Sequence, residues 1–418
     1  MMSDSNGSAA SCGATIMEWA DQLACHSEAP GLLTRTYLSS AHRSAAAQLA
    51  QWMRQAGMTV RQDAAGNVIG RYEGSTPDAP ALLTGSHFDT VRNAGKYDGN
   101  LGILLPIACI GQWSKQQRRF PFALEVIGFA EEEGVRFKAT LLGSRAIAGT
   151  FDTGVLDKRD EHGLSMREVM AAAGLNAAEL GRAAFKRENV LGFMEVHIEQ
   201  GPVLLDEDLA VGVVTAISGA SRFLVTADGL AGHAGTVPMN LRRDAAMAAA
   251  EIGLYIEKRC SGVPGLVGTV GQFDVPNGAA NTVPGKAVFT IDIRAESDAV
   301  RLAAVADVER DMALIAARRR VALDVQRTHE AASVPCAGWL QEQLAGAIAA
   351  HGLAPRRLPS GAGHDAMAIA ALTDVAMLFV RCGNGGISHH PDESMTAADA
   401  GAAAAVFSRF VEQFSPRE

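Results

Sequence analysis

The stretch ALLTGSHFDTVRNAGKYDGNLG, residues 81–102, sets the reading of the whole chain. Its first residues, Ala81, Leu82 and Leu83, are apolar and read as a buried strand that delivers His87 to a loop. Asp89 and Asp98 follow in that loop, among glycines and small polar residues. Residues 100–116 are then apolar on most faces and read as a buried helix. Strand, loop and helix in that order form the unit of an α/β sheet, in which loops at the carboxyl ends of the strands face one crevice. A neutral imidazole with carboxylates in such a loop suits a divalent first-row ion. A solvated turn rich in Gly, Asp and Asn is the other reading of these residues taken alone.

Three further stretches have the same form. Residues 122–130 (FALEVIGFA) are strand-like and run into Glu131, Glu132, Glu133 and Gly134. Residues 189–198 (NVLGFMEVHI) form a strand that carries His197 into Glu199 and Gln200. A strand at 375–381 leads through a short Gly loop to His389 and His390. Singly each is weak, because a Glu triplet is usually a solvated face and a lone His a satisfied one. Four acid- or histidine-bearing strand ends in one α/β sheet converge, and convergence is what a metal site requires.

The rest of the chain frames these ends. With 418 residues it is long enough for two domains. Helical apolar spacing marks residues 15–25 and 39–56, residues 59–71 read as a hairpin, 141–148 as a short helix or loop, and 161–182 as holding an amphipathic helix. The character changes near Val213. Strand 221–227, helix 241–258, strands 266–273 and 287–294, helix 298–320 and strand 322–328 give the order of a split βαβ, ferredoxin-like unit. The α/β pattern resumes after Val334, with helices at 339–351, after Gly363 and at 397–414. The expectation is an α/β catalytic domain (1–213 and 329–418), its sheet largely parallel and flanked by helices, with an inserted α+β ferredoxin-like domain at 214–328.

Composition narrows the function. Apolar residues make up 48% and charged residues 20%, as in ordinary globular enzymes. A net charge of -9 with no basic stripe argues against nucleic acid. No apolar run approaches ~18 residues, so no membrane span is expected. The polar start MMSDSNGSAASCGAT lacks the form of a signal peptide, and its first dozen residues are expected to fray. Six scattered cysteines without a CxxC pair point to a reducing, cytoplasmic setting rather than a disulfide framework or thiolate zinc site.

The motifs GSHFDTV, AGKYDGNLG, EEEGVRF, HIEQGPVL, AGHAGTVPMNLRRDA, NTVPGKAVFTIDIR, SGAGHDAM and GISHHPDE, in that order between residues 85 and 393, closely resemble the amidase/hydantoinase/carbamoylase family. That family lies within the carboxypeptidase–aminoacylase group of dinuclear metal hydrolases. Its members include N-carbamoyl-L-amino acid amidohydrolases, β-ureidopropionases and allantoate amidohydrolases. The resemblance implies two divalent ions per subunit, zinc or manganese, with cobalt and nickel also compatible. His87 and His389 would each bind one ion, Asp98 would bridge both, Glu133 would bind one and His197 the other. A bridging carboxylate offsets the repulsion of two nearby cations.

Glu132 would be the general base, and Asp89 would hydrogen-bond the far nitrogen of His87 and fix its tautomer. Gln200 would reach the ureido group. His233 would stabilise the oxyanion, arriving from the partner subunit because the inserted domain dimerises in the family. Asn281 and Arg294 would hold the substrate carboxylate, with help from the backbone around Gly361 to Gly363.

The register of the Glu run rests on placing base and ligand just before Gly134, and the Gly-Ile-Ser-His motif selects His389 over His390. His364 and Asp365 receive no role. A histidine at 197, where the peptidase branch usually has an acid, favours a linear N-carbamoyl or ureido acid over a peptide. Allantoate is the alternative substrate, an aminoacylase or dipeptidase a less favoured one. A non-catalytic scaffold would lack a ligand or the base, and none is missing.

Overall fold

The computed structural model describes residues 3–417. The chain forms two compact units: the first runs to Thr215 and resumes over Cys336–Leu358 and from Gly363, and the second comprises Ala216–Pro335 with Pro359–Ala362. The second unit is therefore an insertion. Its expected border at 328 falls inside a strand, Ala322–Ala331, that completes the inserted sheet.

In chain order the strands are β1 (Thr59–Gln62), β2 (Val68–Tyr72), β3 (Ala81–His87), β4 (Ala123–Phe129), β5 (Val190–Ile198), β6 (Val211–Ile217), β7 (Gly219–Asp228), β8 (Gly232–His233), β9 (Leu266–Thr269), β10 (Phe273–Asp274), β11 (Thr282–Val283), β12 (Lys286–Ala295), β13 (Ala322–Ala331), β14 (Val334–Pro335), β15 (Arg357–Ser360) and β16 (Val375–Val380). The α-helices are α1 (Ser3–Ala24), α2 (Ser40–Gln55), α3 (Leu101–Lys115), α4 (Leu142–Ile147), α5 (Met166–Ala172), α6 (Val203–Asp206), α7 (Ala245–Cys260), α8 (Asp298–Arg319), α9 (Gly338–Ala350), α10 (Ala366–Ile369) and α11 (Ala397–Gln413).

In the first unit the sheet order is β1-β2-β4-β3-β5-β16-β6. The central block β4, β3, β5 and β16 is parallel, and β1, β2 and β6 are antiparallel additions. Every residue of β3, β4 and β16 is buried, which is why these strands read as largely apolar runs rather than alternating ones. Helix α3 is buried along most of its length and packs on β3 and β5, with α1 and α11 against it. Parallel pairing puts the carboxyl ends of β4, β3, β5 and β16 side by side. Those are the four ends that carry the acids and histidines.

In the second unit the order β13-β7-β12-β9, antiparallel throughout, is the ferredoxin-like arrangement. Phe223, Val225 and Ala227 of β7 and Phe289, Ile291 and Ile293 of β12 form a core with residues of α7 and α8, including Ile252, Ile256, Val305 and Val308. The alternate residues Arg222, Asp292 and Arg294 take the opposite face, as period 2 dictates. The two-residue strand β8 pairs with β11, setting His233 opposite Thr282.

Two expectations need correction and one is met. Helix α1 begins at Ser3, so the described part of the first dozen residues is helical rather than frayed; Met1 and Met2 lie outside the described residues. The amphipathic helix expected within 161–182 is α5, which opens on a Ser165–Glu168 capping box, buries Met166, Val169 and Met170, and is ended by Gly174 at φ 80° ahead of a 3-10 turn at Ala177–Arg182. The strand expected at 266–273 breaks into β9 and β10 because residues 270–272 stand opposite only 290 and 291 of β12, a bulge. Among the described residues, no helix is long and apolar enough to cross a membrane.

Candidate metal centre and active site

Asp98 is the centre of the cluster. It is 3% exposed, and its two oxygens face different partners. Oδ1 lies 3.2 Å from His197 Nε2 and 3.8 Å from His87 Nε2. Oδ2 lies 3.1 Å from His389 Nε2, which is itself 3.6 Å from Glu133 Oε1. The ligand atoms of His87, Asp98 and His197 fall within 4.8 Å of one another, as do those of Asp98, Glu133 and His389, and those of His87, Glu132 and Glu133. The five expected ligands thus sort into two groups that share one carboxylate.

The surroundings fix the imidazoles. His87 Nδ1 is 3.1 Å from the backbone carbonyl of Asp89, and His197 Nδ1 is 2.8 Å from that of Ile198. A carbonyl can only accept, so each Nδ1 carries a proton and each Nε2 is the nitrogen that faces Asp98. Asp89 therefore holds His87 chiefly through its carbonyl; its carboxylate Oδ1 stands 3.5 Å off. The carboxylate accepts the backbone N–H of Glu132 at 2.9 Å and of Glu133 at 3.1 Å, anchoring the acidic loop. Glu131 Oε1 accepts the N–H of Gly134 at 2.6 Å, a loop-closing bond that leaves Glu132 and Glu133 as the acids grouped with His87.

His389 takes the left-handed conformation (φ 56°), as does Gln200 (φ 55°), and each costs about 1–3 kcal/mol that its surroundings must offset. His390 turns away: its Nδ1 accepts the N–H of Asp392 at 3.1 Å.

Glycines 95 and 99 act differently from each other. Gly99 has φ 66°, and a Cβ there would lie 2.5 Å from His87. Gly95 has no positive φ; a Cβ there would strike the Glu393 carboxyl at 2.2 Å. Gly99→Ala is expected to keep the fold by circular dichroism and weaken Co2+ binding to the metal-free protein by about 10–100-fold, since it displaces a ligand ring. Unchanged affinity would show that the His87 ring position is immaterial.

The electrostatics fit divalent cations. The ion-pair partners of Asp89, Asp98 and Glu133 among the described residues are imidazoles, not lysine or arginine. Burial and then the charge of Asp98 push Glu133 up to about 7. Burial also raises Glu132 well above the ordinary value, with Glu133 adding to it and His87 opposing. Burial opposes ionisation of Asp98, but contacts from His197 and His389 hold it well below the usual range. Its buried Oδ2 makes no hydrogen bond. Crowded carboxylates, an unsatisfied buried oxygen and imidazole Nε2 atoms turned inward together form a donor set suited to divalent metal ions.

The second unit carries the other expected residues. His233 is exposed, and its Nδ1 accepts the N–H of Gly235 at 3.1 Å, which leaves Nε2 as the protonated donor. The Asn281 backbone carbonyl accepts from Ala234, which ties the two loops together, and its side chain is exposed. Arg294 is already engaged: Nε and Nη2 donate to Asp292 at 2.9 and 2.7 Å, and Nη1 to the Gly361 carbonyl at 2.6 Å. Three of its five N–H groups are used and two remain for a ligand. The backbone of Gly361 is thus a partner of Arg294 in this structure. Gly363 belongs to the first unit, where a Cβ would stand 3.7 Å from Glu132 Oε1.

The family model for peptidase family M20/M25/M40 matches residues 83–413. The chain belongs to that family. It is 41% identical to a probable allantoate deiminase of Oryza sativa subsp. japonica, over 93% of this chain and 85% of that one. It is 39% identical to an N-carbamoyl-L-amino acid amidohydrolase of Geobacillus stearothermophilus, over 93% and 95%. A solved amidase of the hydantoinase/carbamoylase family from Burkholderia multivorans superposes with a TM-score of 0.90 at 29% identity, covering 96% of this chain and 97% of that one. This M20/M25/M40 member is accordingly a metal-dependent hydrolase of carbon–nitrogen bonds outside peptides.

Several supporting residues of this family member escape a reading by motif. Glu195 is fully buried on β5, on the same face as His197; it accepts Ser86 Oγ at 2.7 Å and the N–H of Ala366 at 2.9 Å, bracing the strands that carry His87 and His197. A charge inside the apolar run FMEVHI was the available signal. Arg35, with no exposed surface, donates to the Phe88 carbonyl at 2.5 Å and to Asn100 Oδ1 at 2.8 Å, holding the His87 loop from behind. His364 stacks edge-on against His197, with ring centroids 4.4 Å apart. Asp365 is fully buried and hydrogen-bonded at neither oxygen; burial and the charge of Glu195 raise its pKa well above the usual value. Gln200, expected to reach the ureido group, donates in this structure to Asp98 Oδ1 and Ser388 Oγ, both at 3.1 Å.

Proposed function

We propose that the chain hydrolyses the carbamoyl (ureido) C–N bond of a linear N-carbamoyl amino-acid-type substrate, releasing ammonia and carbon dioxide. The observation that carries this is the shared carboxylate of Asp98 between two ligand groups, in a chain whose similar relatives include an N-carbamoyl-L-amino acid amidohydrolase. Two divalent ions, zinc or manganese, would be held by His87 and His197 on one side, Glu133 and His389 on the other, with Asp98 between. Such ions supply Lewis acidity that activates water and polarises a carbonyl. Glu132 takes the proton of the attacking water and delivers it to the leaving nitrogen. Asp89 and Glu131 hold the loop that aims Glu132. His233 donates from Nε2 to the oxygen that becomes negative as the carbonyl carbon turns tetrahedral. Asn281 and the two uncommitted N–H groups of Arg294 take the substrate carboxylate.

The enzyme is inferred to be a homodimer joined through the second unit, with His233 of one chain serving the centre of the other. Leu230, Met239 and Leu241, exposed by 62, 77 and 57%, flank His233 in sequence and supply apolar surface that such contact would cover. The cysteines of the described residues are all free thiols, which supports a reducing, cytoplasmic setting.

Allantoate, itself a ureido acid, is the alternative substrate, favoured by the 41% identity to the probable allantoate deiminase. A panel on protein reconstituted with zinc, manganese, cobalt or nickel separates the readings by ammonia release from N-carbamoyl-L-amino acids, 3-ureidopropionate and allantoate. Cleavage of acyl amino acids or dipeptides faster than any ureido acid would overturn both.

A further inference from the structure

We propose that Glu393 is a positioning residue that locks Asp98 and His389 into one frame. It lies beyond β16, in the same segment as His389, and is 5% exposed. Burying a carboxylate is costly unless hydrogen bonds replace its water. Here three do. Oε1 accepts the backbone N–H of Tyr97 at 2.9 Å and of Asp98 at 3.1 Å, and Oε2 accepts Ser388 Oγ at 2.7 Å. Ser388 precedes His389, whose backbone is left-handed and needs an external hold.

The contacts close into a ring. Gln200 Nε2 donates both to Ser388 Oγ and to Asp98 Oδ1. Ser388 donates to Glu393, and Glu393 accepts from the backbone of Asp98. Asp98 is thus fixed at its main chain and at one oxygen, and the same ring fixes the residue next to His389. Gly95 makes room for it, since a Cβ there would overlap the Glu393 carboxyl at 2.2 Å. None of the hydrogen bonds of Glu393 goes to an imidazole. Its oxygens hold two backbone N–H groups and the Ser388 hydroxyl rather than an ion.

The inference rests on the reading of Asp98 and His389 as ligands. The test is titration of Co2+ into chelator-stripped full-length protein, followed by calorimetry and the visible absorption of the bound ion, with circular dichroism as the control for folding. Glu393→Ala is expected to weaken Co2+ binding by about 10–100-fold. Glu393→Gln keeps an oxygen for the two N–H groups and an amide facing Ser388, which can reverse its role, so it is expected to stay near wild type. Gly95→Ala is expected to reproduce the loss without touching any ligand, and it carries the test if Glu393→Ala does not fold. Wild-type affinity in a folded Glu393→Ala or Gly95→Ala protein overturns the proposal. So does a loss in Glu393→Gln equal to that in Glu393→Ala, which would make charge rather than hydrogen-bond geometry the cause. Asp98→Ala is the control beneath it: wild-type binding there overturns the ligand reading itself.

Discussion

Glu132→Gln is expected to bind its ions normally and to turn over about 100- to 10,000-fold more slowly. The amide matches the acid in shape but cannot accept a proton from water. The substitution leaves the loop intact, because the loop is tied by the backbone N–H groups of residues 132 and 133 to Asp89 and by Gly134 to Glu131. It also leaves Glu133, grouped with Asp98 and His389, untouched. Metal content by elemental analysis and ammonia release from the preferred ureido acid check the two halves of the expectation. Near-normal turnover would sink the base assignment. Loss of metal along with activity would instead make Glu132 a ligand.

His233→Ala is expected to lower turnover by about 100- to 1,000-fold at unchanged metal content. The ring has one proton to give: Gly235 donates to Nδ1, so Nε2 is the donor, and alanine removes it. Metal content should hold because the candidate ligands all belong to the first unit and His233 to the second. If the second unit joins two chains, mixing the inactive His233→Ala and Glu132→Gln proteins under conditions of subunit exchange should restore part of the activity. Mixed dimers would then contain one centre with both groups intact. No restoration despite proven exchange would place each centre within one chain.

The strand ends were legible in the sequence because a buried parallel strand is mostly apolar, so a cluster of acids, histidines and glycines after it marks where the strand gives way to a loop. That logic located His87, the acidic run, His197 and the His389 loop. It could not tell which of Glu131, Glu132 and Glu133 faces inward, since the deciding contact is the Gly134 N–H. Nor could it separate Asp89's carbonyl from its carboxylate as the partner of His87. Arg35 and Glu393 were missed for a related reason: each bonds to backbone groups far away in the chain, and backbone donors and acceptors leave no mark on residue type. The helix within 161–182 is short because Gly174 takes the left-handed conformation and stops it.

The order of strands has a consequence for how the protein is made. β5, the apolar strand that bears His197, is hydrogen-bonded on one edge by β3, which precedes it, and on the other by β16, which follows the whole inserted unit. While the ribosome is still synthesising the insertion, that second edge has no native neighbour, and an exposed apolar edge invites pairing with other chains. His389 and Glu393 arrive later still. The nascent chain therefore has no complete ion cage until the segment after β16 has emerged, and metal uptake can report a late step of folding rather than the first.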